Sequence, residues 1–160
     1  MNQSYILPNA WSLIEEGFDP SRVKSSESLF SIGNGAMGQR ANFEEYYSGP
    51  TFQGSYIGGV YYPDKTRVGW WKNGYPEYFA KVLNAPSWIG IYIKVNGQDL
   101  DLYTAKEVHA FKRELQMQTG LLLRSFELTL ADGSRLRVES TRFLSLAQDS
   151  IGAIEYKITL

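Results

Sequence analysis

The residues best placed to do chemistry lie in one unusual stretch, Tyr61-Tyr62-Pro63-Asp64-Lys65-Thr66-Arg67-Val68-Gly69-Trp70-Trp71-Lys72-Asn73-Gly74-Tyr75-Pro76-Glu77-Tyr78-Phe79. Aromatic rings stack on the apolar C–H faces of sugars, while Lys, Asn, Asp and Glu reach hydroxyls. That combination is typical of ligand sites. The same mixture suits a protein interface, where Trp, Tyr and Arg carry most of the binding energy. It also suits a long loop pinned to its own domain by its rings. Trp70, Trp71, Lys72, Tyr75 and Glu77 are the candidate substrate-binding or interface residues.

Three other groups carry weaker signals. Gly33-Asn34-Gly35-Ala36-Met37-Gly38 fits G-x-G-x-x-G, and residues 28–32 are a candidate preceding strand. A dinucleotide site also needs a crossover helix and a second βαβ unit. Residues 39–47 are too short for that helix before Ser48-Gly49-Pro50, so a tightly packed glycine turn is the expectation. The close carboxylates are Glu15-Glu16, Glu44-Glu45 and the Asp99/Asp101 pair. Glycoside hydrolysis normally sets two carboxyls across one bond. Neighbours on an extended strand point to opposite faces, so Glu44 and Glu45 are not expected to converge. Asp99 and Asp101 share a face but flank a turn, and solvation is expected for both. No catalytic residue is assigned. His109, the single histidine, stands between Val108 and Ala110 and is read as structural.

Composition narrows the classes further. With no cysteine, a disulfide scaffold, a thiolate metal site and a thiol nucleophile are excluded. Sixteen basic and 17 acidic residues give a net charge of −1, without the basic excess that nucleic acid demands. No apolar run approaches the roughly 18 residues of a membrane span, and no membrane partner is expected. The first residues lack the charged and apolar regions of a signal peptide, so a cytoplasmic protein is expected. No metal or other cofactor is implied.

These residues must be held by something, and the elements change character near residue 86. Before it, Gly, Asn, Pro and aromatics dominate. After it, strands are legible. Residues 88–95 place Ile89, Ile91, Ile93 and Val95 on one face, Asn96-Gly97 signals a hairpin, and 98–103 returns. Phe126, Leu128 and Leu130 alternate with polar residues. Asp132-Gly133 turns the chain, and Leu136 and Val138 oppose Arg135, Arg137 and Glu139. Residues 107–118 read as a strand, as do 153–160. A short helical turn over 10–16, capped by Asn9 and ended by Gly17, is the one helix signal. Strands joined by tight turns without βαβ alternation predict a mainly β fold, an antiparallel β-sandwich. The final strand runs to Leu160, and this predicts that the sandwich is incomplete.

Glu27-Ser28-Leu29-Phe30-Ser31-Ile32-Gly33-Asn34-Gly35-Ala36-Met37-Gly38-Gln39-Arg40-Ala41-Asn42-Phe43-Glu44-Glu45 resembles the E-S-x-x-x-x-G-N-G-x-x-G-x-R-x-N-F-E-E stretch of the glycoside hydrolase family 65 disaccharide phosphorylases. Residues 63–85 resemble the maltose phosphorylase branch, and Arg142-Phe143-Leu144-Ser145 resembles a later strand of the same region. The resemblance covers nearly all of residues 1–160. It implies the N-terminal β-sandwich, a galactose-mutarotase-like supersandwich, of an enzyme whose catalytic acid and phosphate site belong to an (α/α)6 barrel. Nothing in this sequence matches that barrel. The implied reaction is inverting phosphorolysis of maltose to glucose and β-glucose 1-phosphate, with the disaccharide, inorganic phosphate, the enzyme's own barrel and a second subunit of a homodimer as partners. Arg40, Asn42 and Glu44 are expected to form a buried polar set near the glycine turn. Arg40 and Glu44 would pair if that piece is helical, or each would bond loop backbone. The chain alone is expected to be inactive. The other reading is a stand-alone carbohydrate-binding module, and a third is a purely structural interaction domain.

Overall fold

The computed structural model describes residues 5–67, 74–84 and 87–160. Its main sheet is built by the apolar alternation of the second half of the chain. Strands β10 (Glu107–Gln116), β11 (Leu121–Thr129), β12 (Arg135–Leu144) and β13 (Gly152–Thr159) pair antiparallel in sequence order. The Asp132-Gly133 hairpin sets Leu128 opposite Leu136 and Phe126 opposite Val138, so their side chains share the buried face. Two strands from the start of the chain, β1 (Ile6–Pro8) and β2 (Ser12–Glu16), extend the sheet beside β10.

The expected helical turn over 10–16 is therefore corrected to a strand. Leu13 pairs with Leu115 and Glu15 with Arg113, and these long-range partners override a weak local helix signal. Helix α1 lies instead at Val23–Leu29, and part of the candidate strand 28–32 belongs to it; only Ile32–Gly33, β3, is extended.

A second layer covers the inner face of the sheet, giving a sandwich. It contains α1, the irregular segment 40–54 and small antiparallel pairs. Strand β3 pairs with β4 (Met37–Gln39), and β4 with β5 (Ser55–Ile57). The G-x-G-x-x-G stretch is the β3–β4 hairpin, in which Asn34 Oδ1 accepts the amides of Ala36 and Met37. No helix follows, so the dinucleotide geometry is absent from this stretch. Residues 89–95 keep their alternating burial, yet only Lys94–Val95 (β8) and Gln98–Asp99 (β9) form a ladder. Asn96 (φ 51°) and Gly97 (φ 79°) both take the left-handed conformation that a two-residue hairpin of this kind requires.

The core is double. Phe43, Leu100, Phe111, Phe126, Leu128, Leu136 and Val138 form one cluster; Phe30, Ile32, Ala41, Leu122 and Leu144 form the other. Strands β6 (Tyr61–Lys65) and β7 (Tyr78–Val82) make a separate hairpin whose residues are exposed apart from half-buried Asp64.

Candidate functional site

Between the sheet and segment 40–54 the core clusters are joined by buried charge. Arg113, Arg124 and Arg142 all lie at core-facing positions of β10, β11 and β12, and each is 6% exposed or less. Arg124 is the hub. Its Nη1 and Nη2 donate to the two carboxylate oxygens of Glu45, each at 2.6 Å, and Nη2 also reaches Glu44 Oε2 at 2.5 Å. Arg142 Nη1 lies 3.0 Å from Glu44 Oε1 and donates to the carbonyl of Asn42. Ser140 Oγ and Tyr156 OH complete the shell on Glu44 and Glu45 respectively.

Glu44 and Glu45 thus converge on one guanidinium, contrary to the expectation for an extended pair. The backbone bends at 44–45 instead of continuing as a strand, so adjacent side chains no longer diverge. Burial alone would push the Glu44 carboxyl up. The charges of Arg124 and Arg142 outweigh that and hold it below the usual carboxylate range. Burial and the Glu45 charge push the Tyr156 hydroxyl well up, so it stays a donor. Both carboxylates are committed to arginine.

The seam continues toward α1. Arg113 is ringed by Phe30, Phe43 and Phe111, 5.2–5.6 Å from its guanidinium carbon, with Glu15 at 3.6 Å. Burial pulls the Arg113 guanidinium down to about 10 against the opposing charge of Glu15. Glu15 also accepts from Ser26 on α1 at 2.7 Å. Glu27 of α1, fully buried, accepts from Thr51 Oγ1 and from the Phe52 amide. The segment that follows the glycine turn is therefore tied to the sheet by ion pairs, and α1 by the Ser26–Glu15 hydrogen bond, as well as by apolar contact.

Arg40, Asn42 and Glu44 take separate partners in this seam. Arg40 is part-exposed and donates to the carbonyls of Phe52 and Lys24. Its stem lies against Gly54, where a Cβ would fall 2.2 Å from Arg40 Cδ. Asn42 is buried, donates to the Phe52 carbonyl and accepts the Gly54 amide. Segment 40–45 is not helical, and Glu44 pairs with sheet arginines in place of Arg40. Asp101 corrects another expectation: it is 2% exposed. Its carboxylate accepts from Ser48, the Tyr103 amide and Thr104, which closes the 101–104 turn. His109 Nε2 stands 2.6 Å from Thr129 Oγ1.

The aromatic stretch lies elsewhere. Trp70, Trp71 and Lys72 fall outside the described residues. Tyr75 packs edge-on against Phe79 with centroids 6.1 Å apart, and the Glu77 carbonyl accepts the Thr66 amide near the tip of β6–β7. Tyr61, Tyr62, Tyr78 and Phe79 are all exposed there, and Lys81 and Asp64 pair across the two strands. Among the described residues, no three His, Asp or Glu side chains gather as metal ligands. None of the helices described is long and apolar enough to cross a membrane.

Residues 13–160 match the family model described as glycosyl hydrolase family 65, N-terminal domain. The chain is 46% identical over 157 residues to maltose phosphorylase of Bacillus subtilis (strain 168), covering 98% of this chain and 20% of that protein. It is 30% identical over 148 residues to kojibiose phosphorylase of Halothermothrix orenii, covering 92% and 17%. It is 31% identical over 153 residues to alpha,alpha-trehalose phosphorylase of Thermoanaerobacter brockii, covering 91% and 19%. Among solved structures, a putative kojibiose phosphorylase from human microbiome superposes with a TM-score of 0.80 at 29% identity, over 89% of this chain and 19% of that one. The chain spans a fifth or less of the length of these relatives.

Proposed function

This chain belongs to glycosyl hydrolase family 65 as its N-terminal domain, and from that premise we propose that it is the N-terminal β-sandwich portion of an inverting maltose phosphorylase. The observation that carries the proposal is the 46% identity to a maltose phosphorylase across 98% of the chain, against 30% and 31% for the kojibiose and trehalose relatives. In such an enzyme, phosphate attacks the anomeric carbon of maltose from the face opposite the glycosidic oxygen. The C–O bond breaks, and one carboxylic acid protonates the departing glucose. Because phosphate is the nucleophile, a single protein acid suffices.

The role assigned to this domain is structural and dimer-supporting, with the acid and the phosphate site on the catalytic barrel. The arginine-bound state of Glu44 and Glu45 supports placing the acid elsewhere. Trp70, Trp71, Lys72, Tyr75 and Glu77 are proposed to contact the barrel, the substrate entrance or the second subunit. A cytoplasmic setting suits a chain without cysteine.

Exchange tests the proposal. Residues 1–160 replace the matching N-terminal segment of the Bacillus subtilis enzyme. The chimaera is expected to release glucose 1-phosphate from maltose and phosphate, and the isolated chain to release none. A folded chimaera without activity overturns the proposal. In the active chimaera, Trp70→Ala/Trp71→Ala is expected to change KM for maltose or the oligomeric state; if both stay fixed, the segment only packs on its own domain. Saturable quenching of tryptophan fluorescence in the isolated chain by maltose would instead support the carbohydrate-binding module.

A further inference from the structure

Both ends of the β6–β7 hairpin come down on one short piece of chain. The incoming end leaves β5 through Gly58-Gly59. Ile57 of β5 pairs with Met37, and the Gly58 amide donates to the Ala36 carbonyl at 2.6 Å. The returning end closes with Asn84, which follows β7 by two residues. Asn84 Nδ2 donates to the Gln53 carbonyl at 2.8 Å, and its Oδ1 accepts the Ser55 amide at 2.9 Å. That carbonyl and that amide share one edge of the chain, where a neighbouring strand would engage them in a sheet. The Asn84 side chain stands in for such a strand.

The opposite edge is held from the seam. Gly54, between those two partners, donates its amide to Asn42 Oδ1 at 3.1 Å. Its carbonyl accepts the Arg40 amide at 2.9 Å and Gln39 Nε2 at 2.8 Å. Gln39 and Asn42 are both buried, and Arg142 of the sheet donates to the Asn42 carbonyl. Residues 53–55 are thus hydrogen-bonded on both edges and form the seat of the hairpin. Above the seat the hairpin is braced along its length. Five residues pair on each strand, from Tyr61 opposite Val82 to Lys65 opposite Tyr78. Thr66 then closes the ladder, its amide on the Glu77 carbonyl at 2.8 Å and its hydroxyl on the Pro76 carbonyl at 2.5 Å. At about 3.3 Å per residue the paired length is about 16 Å, so a tilt of about 10° at the seat moves the far end by about 3 Å. Tyr75 and Glu77 lie at that end.

We propose that Asn84 is a positioning residue of the parent enzyme: by clamping the Gln53 carbonyl and the Ser55 amide it sets the angle at which the β6–β7 hairpin presents Tyr75 and Glu77. The clamp also gives Arg40 and Asn42 a task beyond the interior, since they hold the other edge of the same seat. The proposal rests on the contact role stated above for Tyr75 and Glu77, and adds the residue through which the domain directs them.

A cycle of variants in the active chimaera tests it. Tyr75→Ala/Glu77→Ala first identifies the parameter that the contact controls, KM for maltose or the subunit dissociation constant. Asn84→Ala is expected to raise that same parameter about threefold or more, with kcat within about twofold of the parent. Asn84 belongs to neither core cluster, so circular dichroism is expected to stay unchanged. Asn84→Asp keeps the volume and the acceptor for Ser55 but sets a carboxylate oxygen against the Gln53 carbonyl, and is expected to move the parameter in the same direction. Added to Tyr75→Ala/Glu77→Ala, Asn84→Ala is expected to change nothing further, because a residue that acts through the contact has no effect once the contact is gone. Asn84 variants without effect, or effects that simply add, overturn the positioning role and leave the contact role standing. If Tyr75→Ala/Glu77→Ala moves neither parameter, both roles are overturned.

Discussion

Arg124 and Tyr62 sit in opposite surroundings to those their side chains usually occupy. Arg124 is charged and 6% exposed; Tyr62 is aromatic and 41% exposed. The seam around Arg124 puts charge inside and satisfies it with three oxygens of two carboxylates. The β6–β7 hairpin puts rings outside and satisfies mainly its own backbone. A buried ion pair adds little over an apolar core of the same shape, but losing one partner is severe because the other is stranded. Exposed rings add little to the fold that carries them, and a two-stranded hairpin is marginal by itself. The seam therefore fixes how layers join, while the hairpin contributes little to the fold that carries it.

The sharpest way to break that contrast is Arg124→Met. It strands Glu45, which keeps only the Tyr156 hydroxyl, while Glu44 retains Arg142, and it is expected to cost about 3–5 kcal/mol in urea unfolding; a loss below about 1 kcal/mol would show that the seam is wet. Glu44→Gln keeps the shape and is expected to cost about 1–3 kcal/mol. It also separates the pH behaviour. Because Glu44 is held below the usual range, its stabilisation is present above the unfolded value of about 4.3 and is lost as pH falls through the lower folded value. Unfolding followed down to about pH 3 should show a shallower loss in Glu44→Gln than in the parent. Equal slopes would remove Glu44 from the acid response. Gly97→Ala, away from both regions, forces a side chain into a left-handed conformation and is expected to cost about 1–2 kcal/mol by the same measurement. The smallest effect belongs to the hairpin: Tyr62→Ser should change stability by no more than about 0.5 kcal/mol. A larger change would show that the hairpin supports its own domain.

The alternating strands of the second half were open to reading because their buried faces are apolar beside the Asp132-Gly133 hairpin, as at Leu128, Leu136 and Val138. Helix α1 was hidden for a physical reason. Its buried positions 23, 26 and 27 do follow the helical spacing, but two of them are Ser and Glu, so no apolar stripe marks them. The seam was hidden likewise. Arg124 lies on the same strand face as Leu122, Phe126 and Leu128, and a charge in that position signals a buried partner without saying which one. The partner sits 79 residues away at a bend that no local pattern announces. Asp101 escaped because a carboxylate near a hairpin is usually solvated, whereas here it organises the turn from inside.

The reach of the seam has a kinetic consequence. Glu45 meets Arg124 across 79 residues and Tyr156 across 111. Contacts this distant in sequence form late and slow folding. During synthesis the segment bearing Glu44 and Glu45 emerges first and waits, its carboxylates in water, until β11, β12 and finally β13 are made. The two layers lock only when Tyr156 arrives to close the shell around Glu45.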